Sequence, residues 1–250
     1  SGSDASNIKT IAKKSGRDFF ISGSKNWVTN GINSDILIVF CLTDAKLKKK
    51  GISAFIIDKN TKGISLGKKE DKLGLRASDT CQIFFDRCRV SSKNLLGEEG
   101  EGLKIALNTL SGGRIGIAAQ SVGLARSALD KAIKYSKERV QFKRSISQFG
   151  AIKNKISELA TDIEAARMLV WKAAYLKDSG ENYVKESSMA KLFSSNIAMK
   201  AASECVQIHG GYGYIQEYGV ERLMRDAKIT QIYEGTSEIQ KLVIAKELLQ

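Results

Sequence analysis

The strand-like texture of this chain stops near Gly97 and does not return. From Asp18 to about Val90, short runs rich in β-branched and aromatic residues alternate with Gly, Asn, Asp and Ser: DFFISGSKNWVTNG, DILIVFCL, GISAFIID and TCQIFFDRCRV. Four or more strands at such spacing predict an antiparallel sheet folded as a small barrel or sandwich. From Gly102 onward, apolar residues recur at three- and four-residue steps. They predict helices from about Leu103 to Arg139, Ala151 to Asp178, Tyr183 to His209 and Thr236 to Leu249. The glycines from Gly97 to Gly102 punctuate the change. The expected architecture is therefore α+β with segregated halves, a β-domain over 1–97 followed by an antiparallel four-helix bundle over 98–250.

Composition narrows the function classes. At 250 residues and 42% hydrophobic content the chain can bury a sizeable core. No apolar run reaches the roughly 18 residues of a membrane span, and no basic-then-apolar leader opens the chain. Cys41, Cys81, Cys88 and Cys205 lack metal-ligand spacing and His209 is the only histidine, so neither a metal site nor a disulfide framework is expected, and a reducing compartment fits. The net charge of +13 suits a polyanion, a phosphate-bearing cofactor or an acidic partner surface. Zinc-finger spacing, a basic zipper and aromatic-rich RNA motifs are all missing, which argues against nucleic acid. The run from Lys46 to Lys50 reads as a solvated loop between two strands.

Chemistry is expected at QIYEGTSEIQ, residues 231 to 240. Thr236 is a good helix N-cap, so Glu234 and Gly235 fall in the turn before the last helix. A helix N-terminus offers amides to an anion, Gly235 permits close approach of a ligand, and Glu234 beside apolar Ile232 and Tyr233 is a candidate general base. A capped helix with a solvated glutamate is the plainer reading. In KNWVTNG, Trp27 and Thr29 share one strand face and Val28 the other, suited to stacking on and hydrogen bonding a planar heterocycle, or to a core tryptophan. Arg139 with Phe142 fits a phosphate and an aromatic ring, or a surface arginine and a core phenylalanine. QIHGGYGY ends a helix in two glycines that bring backbone near something bulky, and His209 there is catalytic or, more commonly for a lone histidine, structural.

Taken in order, the segments resemble the acyl-CoA dehydrogenase family, in particular its short-chain, butyryl-CoA branch. The likeness runs from SGSDA at 1 to 5 through KNWVTNG, the stretch from 72 to 102, SGGRIGIAAQSVGLA at 111 to 125, RVQF at 139 to 142 and QIHGGYGY to RDAKITQIYEGTSEIQ at 225 to 240. It implies FAD as cofactor and α,β-dehydrogenation of a short-chain acyl-CoA to a trans-2-enoyl-CoA, with Glu234 taking the α-proton and the β-hydrogen leaving as hydride to the flavin. Glycine at Gly113 leaves Glu234 as the base, since some relatives carry it on that helix instead. The resemblance assigns Trp27, Val28 and Thr29 to the flavin ring. It assigns Arg139, Phe142, Gln207, Ile208, His209, Gly210 and Gly211 to the FAD of a neighbouring subunit, and Thr236, Ser237 and Glu238 to FAD within the same fold unit. Ser3, Ser111, Arg114 and Gly235 would face the acyl-CoA.

A homo-oligomer, usually a dimer of dimers, follows from the shared cofactor sites, and an electron-transfer flavoprotein would accept the electrons. The mitochondrial matrix or the bacterial cytoplasm suits such an enzyme. The pattern departs from the family at Ser111, usually aspartate; at Gly150, usually glutamine; and at Lys143, usually glycine. Family chains also carry a helical domain before the β-domain, and this sequence starts at Ser1, after it. A non-catalytic FAD- or acyl-CoA-binding relative, or an acyl-CoA oxidase, is the alternative reading.

Overall fold

A computed structural model describes all 250 residues, which form two compact units, Ser1–Thr109 and Leu110–Gln250. The first unit is built on one seven-stranded sheet, β5-β6-β2-β1-β3-β4-β7. Its strands are β1 (Ile11–Ser15), β2 (Asp18–Thr29), β3 (Ile36–Leu42), β4 (Ile52–Asp58), β5 (Ile64–Leu66), β6 (Thr80–Ser91) and β7 (Leu95–Leu96). Alternation dictates its faces. In β3, Leu37, Val39 and Cys41 are buried while Ile36 and Ile38 are exposed. The inward set meets Phe19, Ile21, Phe55, Ile57, Ile83 and Phe85 in one core, where Phe19 and Phe55 pack edge to face at 5.0 Å.

Neighbouring strands pair antiparallel with one exception, since β1 lies parallel to β3 through the Ile11–Leu42 pair. The sequence reading passes over β1, β5 and β7, which are short. β1 reverses into β2 through the two-residue turn Gly16–Arg17, with Gly16 at φ 61°. The long β2–β6 ladder slips register twice, between Ile21 and Gly23 and between Lys25 and Val28. Such bulges bend a strand and re-aim its side chains. The second one holds Trp27 at φ 58°, a left-handed conformation that a bulky side chain adopts only when its surroundings impose it. Buried Asp79 fixes the loop just beyond, accepting hydrogen bonds from the Ile32 amide at 2.8 Å and Asn33 Nδ2 at 2.7 Å.

The second unit is helical. Its elements are α1 (Gly102–Glu138, whose first two turns belong to the first unit), α2 (Gly150–Asp178), α3 (Val184–His209), the single turn α4 (Gly211–Tyr214), α5 (Val220–Thr230) and α6 (Ser237–Leu249). A small hairpin, β8 (Val140–Gln141) with β9 (Arg144–Ser145), joins α1 to α2. α3 is the central rod and touches α2, α4, α5 and α6. That position explains its composition: Ser187, Ser188, Ala190, Ser194, Ser195, Ala198, Ala201 and Ala202 are all buried, and side chains this small let neighbouring helices approach closely. The main core joins Ala125, Leu129 and Ala132 of α1 to Leu159 and Ile163 of α2, Ile197 and Ile208 of α3, and Val220 and Leu223 of α5.

The sheet-then-bundle class holds, with α5 as an addition to the four helices expected from sequence. Its buried residues Val220, Leu223, Ala227 and Thr230 follow a regular helical stripe with charged residues on the other face, a signal that the sequence reading passed over. No helix is long and apolar enough to cross a membrane.

Candidate active site

The turn from Gln231 to Thr236 links α5 to α6, and several elements of the helical unit hold it. Thr236 is the N-cap of α6 and accepts a hydrogen bond from the Ile239 amide. Glu234 at φ 54° and Gly235 at φ 90° both lie in left-handed backbone, which aims the two adjoining carbonyls inward. Gln240, fully buried, donates from Nε2 to the Glu234 carbonyl at 3.2 Å and the Gly235 carbonyl at 2.9 Å. Lys191 of α3, also fully buried, donates from Nζ to the same Gly235 oxygen at 2.7 Å. The Tyr233 hydroxyl is hydrogen-bonded to Gln120 of α1, and Gln231 reaches Asn196 of α3. A glutamate is thus held in a conformation that costs energy, by groups from α1, α3 and α6, a pattern that marks functional sites.

The carboxylate itself lies against α1 at Gly113. A Cβ built on Gly113 would stand 2.7 Å from Glu234 Oε2 and 3.3 Å from its Cδ, so no side chain fits there without moving the carboxylate. Burial pushes the Glu234 pKa up, and the cations Arg114 and Lys191 partly restrain that rise. Arg114 is 6% exposed; one of its terminal nitrogens donates to Ser188 Oγ of α3 at 3.2 Å, and its buried Nε has no protein partner. A carboxyl group poised by desolvation beside two cations has the makings of a general base that works near neutral pH. Ser111 is buried one helical turn before Arg114, and Gly235 is fixed by Lys191 and Gln240 as described.

A second cluster lies where α3 ends. Tyr135, Arg139, Ile208, His209, Gly210 and Gly211 line a cleft of about 540 Å³. A Cβ on Gly210 or Gly211 would meet nothing within 4 Å, so the backbone is open to a ligand at this point. His209 is buried, its ring stacks on Tyr135 at 4.2 Å, and Nδ1 lies 2.8 Å from the Cys205 carbonyl. Burial lowers its pKa, which favours the neutral ring. These contacts make it a packed histidine that presents an edge to the cleft. Gln207 caps the turn by accepting from the Gly210 amide and is outside the lining.

Phe142 and Lys143, at φ 51° and 64°, form the turn of the β8–β9 hairpin, and Phe142 is 87% exposed. Turns with two left-handed residues favour Asn or Gly, so Lys143 stands where glycine would sit without strain. Phe142 is therefore not a core residue. Gly150 opens α2 with empty space around its Cβ position.

A third, smaller cleft of about 270 Å³ sits at the start of α6. Thr236, Ser237 and Glu238 line it together with Lys228, Lys241 and Asn196. In the sheet unit, Val28 packs against the core while Trp27, at 72% exposure, and Thr29 point outward, so the core-tryptophan reading does not hold. Ser3 is exposed on the same unit.

The sequence reading missed Lys191, Gln240, Gln120 and Ser188. Lys191 left a signal, because it falls in step with buried Ser187, Ser194 and Ala198, where a lysine has no business unless it meets a partner. No group of three or more His, Cys, Asp or Glu residues is placed to hold a metal.

Comparison with known proteins gives this arrangement a family. The acyl-CoA dehydrogenase middle-domain model matches residues 1–88 and the acyl-CoA dehydrogenase C-terminal-domain model residues 100–249. An acyl-CoA dehydrogenase of Bacillus subtilis is 53% identical over 249 residues, covering all of this chain and 66% of its own length. The structure of butyryl-CoA dehydrogenase from Megasphaera elsdenii superposes with a TM-score of 0.99 at 49% identity, covering 100% of this chain and 66% of that one. A chain from the structural work on the electron transferring flavoprotein of Acidaminococcus fermentans gives 0.99 at 50% identity, with the same coverage. This sequence thus spans just under two thirds of the relatives it matches. With both domain models in register along its length and relatives near half identity throughout, the chain belongs to the acyl-CoA dehydrogenase family.

Proposed function

We propose that the protein catalyses α,β-dehydrogenation of a short-chain acyl-CoA, with Glu234 as the base. One observation carries this reading: the Glu234 carboxylate, partly desolvated and under the positive charge of Arg114 and Lys191, occupies a space on α1 that only glycine at position 113 leaves open. The α-proton of a thioester is weakly acidic, so removing it needs a base with a raised pKa and a donor for the negative charge that builds on the carbonyl oxygen. Glu234 provides the first, and its own backbone amide would provide the second. The proton passes to the Glu234 carboxylate, the α,β double bond forms, and the β-hydrogen departs with its electron pair. FAD, when bound, supplies the acceptor for that pair.

The residues present fit such a cofactor. A flat ring system suits exposed Trp27 with Val28 and Thr29, and pyrophosphate and adenine suit the open Gly210–Gly211 backbone beside Arg139, Ile208 and His209, with Gln207 and Phe142 nearby in sequence. Thr236, Ser237 and Glu238 would hold FAD at the start of α6, and Ser3, Ser111, Arg114 and Gly235 would receive the acyl-CoA. A homo-oligomer and an electron-transfer flavoprotein as acceptor are part of this proposal; likeness to the Acidaminococcus fermentans and Megasphaera elsdenii structures supports the latter and the butyryl-length substrate.

The test is an anaerobic visible spectrum of the purified protein before and after addition of butyryl-CoA. A flavin band that bleaches is the expected result. A flavin band that persists with every short acyl-CoA, or no flavin at all, overturns the reading.

Trp27 offers a separate check. Trp27→Gly removes a side chain that buries little and places glycine where the backbone is already left-handed. Relief of about 1 kcal/mol of strain offsets a similar entropic cost, so thermal stability is expected to stay within about 1 kcal/mol of the parent. Flavin retained through gel filtration, read as flavin absorbance per protein, should nonetheless fall severalfold. Unchanged flavin content would remove Trp27 from the cofactor site.

A further inference from the structure

We propose that Lys191 is a positioning residue for Glu234: its ammonium, anchored on the Gly235 carbonyl, braces the turn and keeps the half-buried carboxylate ionised by its charge. The proposal rests on the reading of Glu234 as the base, and it adds a residue which that reading does not need.

Three structural facts lead to it. Lys191 is fully buried on the central helix of its unit, where an uncompensated ammonium is costly. Its 2.7 Å hydrogen bond ends on the backbone between Glu234 and Thr236, where a glutamate and a glycine are left-handed in succession. The oxygen it contacts already has a donor in Gln240. A hydrogen bond alone is thus already supplied, and what Lys191 brings in addition is a positive charge.

The charges around this point form a small set. Arg114 faces Glu234 and Lys191 from α1, Tyr233 and Glu234 lie on the turn, and Glu238 faces Lys191 from the start of α6. Burial, helped by Arg114, pulls the Lys191 pKa down to about 8, while Glu234 and Glu238 oppose the fall. Below about pH 8 the ammonium is mostly charged and stabilises the Glu234 anion. Arg114 acts in the same direction and more strongly, but its hydrogen bond goes to Ser188 of α3, whereas that of Lys191 ends on the turn itself and ties its charge to the position of Glu234.

The test is a carbon-13 NMR titration of the Glu234 side-chain carboxyl in protein labelled on glutamate, with the resonance assigned by its loss in Glu234→Gln. It is done without acyl-CoA, so it succeeds or fails independently of whether the protein is a dehydrogenase. Lys191→Met removes charge and donor. The Glu234 midpoint is expected to move up by roughly one pH unit, because an attractive charge has been lost. Lys191→Arg should bring it back towards the parent value. Gln240 still holds the Gly235 carbonyl in both variants, and an apolar replacement for a buried ion is often tolerated.

Should Lys191→Met fail to fold, Lys191→Gln, which keeps a donor without the charge, takes its place and should give the same upward shift. In the active protein the acid limb of flavin reduction should shift by the same amount. A folded Lys191→Met or Lys191→Gln variant with an unmoved Glu234 midpoint overturns the proposal, because a bracing role alone would leave the carboxyl titration where it was.

Discussion

Glu234→Gln is expected to retain FAD and lower the rate of flavin reduction by butyryl-CoA by about 10⁴-fold, the upper end of what a positioned general base contributes. The substitution keeps the shape of the side chain and removes only its ability to accept the α-proton. Stability should move the other way. The folded Glu234 pKa is raised by burial above its unfolded value, so the stability associated with the protonated acid is present below the unfolded pKa and is lost as pH rises through the folded one. At neutral pH the parent therefore carries a charged, partly desolvated group that the variant lacks. Thermal melts of the two proteins should show Glu234→Gln at least as stable as the parent at pH 7, with that advantage disappearing towards pH 4. A variant that is inactive and also less stable at pH 7 would point to a structural role for Glu234. A variant with retained activity would place the base elsewhere.

The parts of this site that the sequence made legible are local ones. Thr236 as a cap, Glu234 and Gly235 in the turn before α6, and the paired glycines at the end of α3 all follow from short-range backbone chemistry. The β-branched and aromatic runs that form β3 and β4 announced the sheet. What did not show is what comes from elements far apart in sequence. Gly113 and Glu234 meet across 121 positions (234 − 113), and nothing in either segment says that the empty space beside one is filled by the other. Lys191 and Gln240 converge on the Gly235 oxygen from different helices, and the parallel contact of β1 with β3 likewise comes from topology.

The bulge at Trp27 shows a further limit. Simple alternation separates Val28 from Trp27 and Thr29 but does not say which face is inward, and it gives no hint that Trp27 is left-handed. Trp27, Phe142 and Glu234 all combine a side chain expected to meet ligand with a positive φ. Strain at such positions is fixed by surrounding contacts, which propensity and periodicity do not encode.

Gly113→Ala separates what the fold needs from what the site needs. The position lies in the middle of α1, where alanine is favoured over glycine by up to about 1 kcal/mol. The three heavy atoms nearest the added methyl all belong to the Glu234 carboxylate, with Oε2 at 2.7 Å. That group is the far end of a flexible side chain, so it can move aside cheaply and the helix need not. The expected result is a thermal midpoint equal to or above that of the parent, combined with a fall in flavin reduction of roughly 10²-fold, as is usual when a reacting group is displaced by about an ångström. The loss should appear in the rate of reduction at saturating butyryl-CoA, since the residues proposed to hold the flavin are untouched. Flavin content per protein should therefore be unchanged. If Gly113→Ala instead reacts at the parent rate, the carboxylate does not work from its place beside α1, and the geometry that carries the functional reading fails with it.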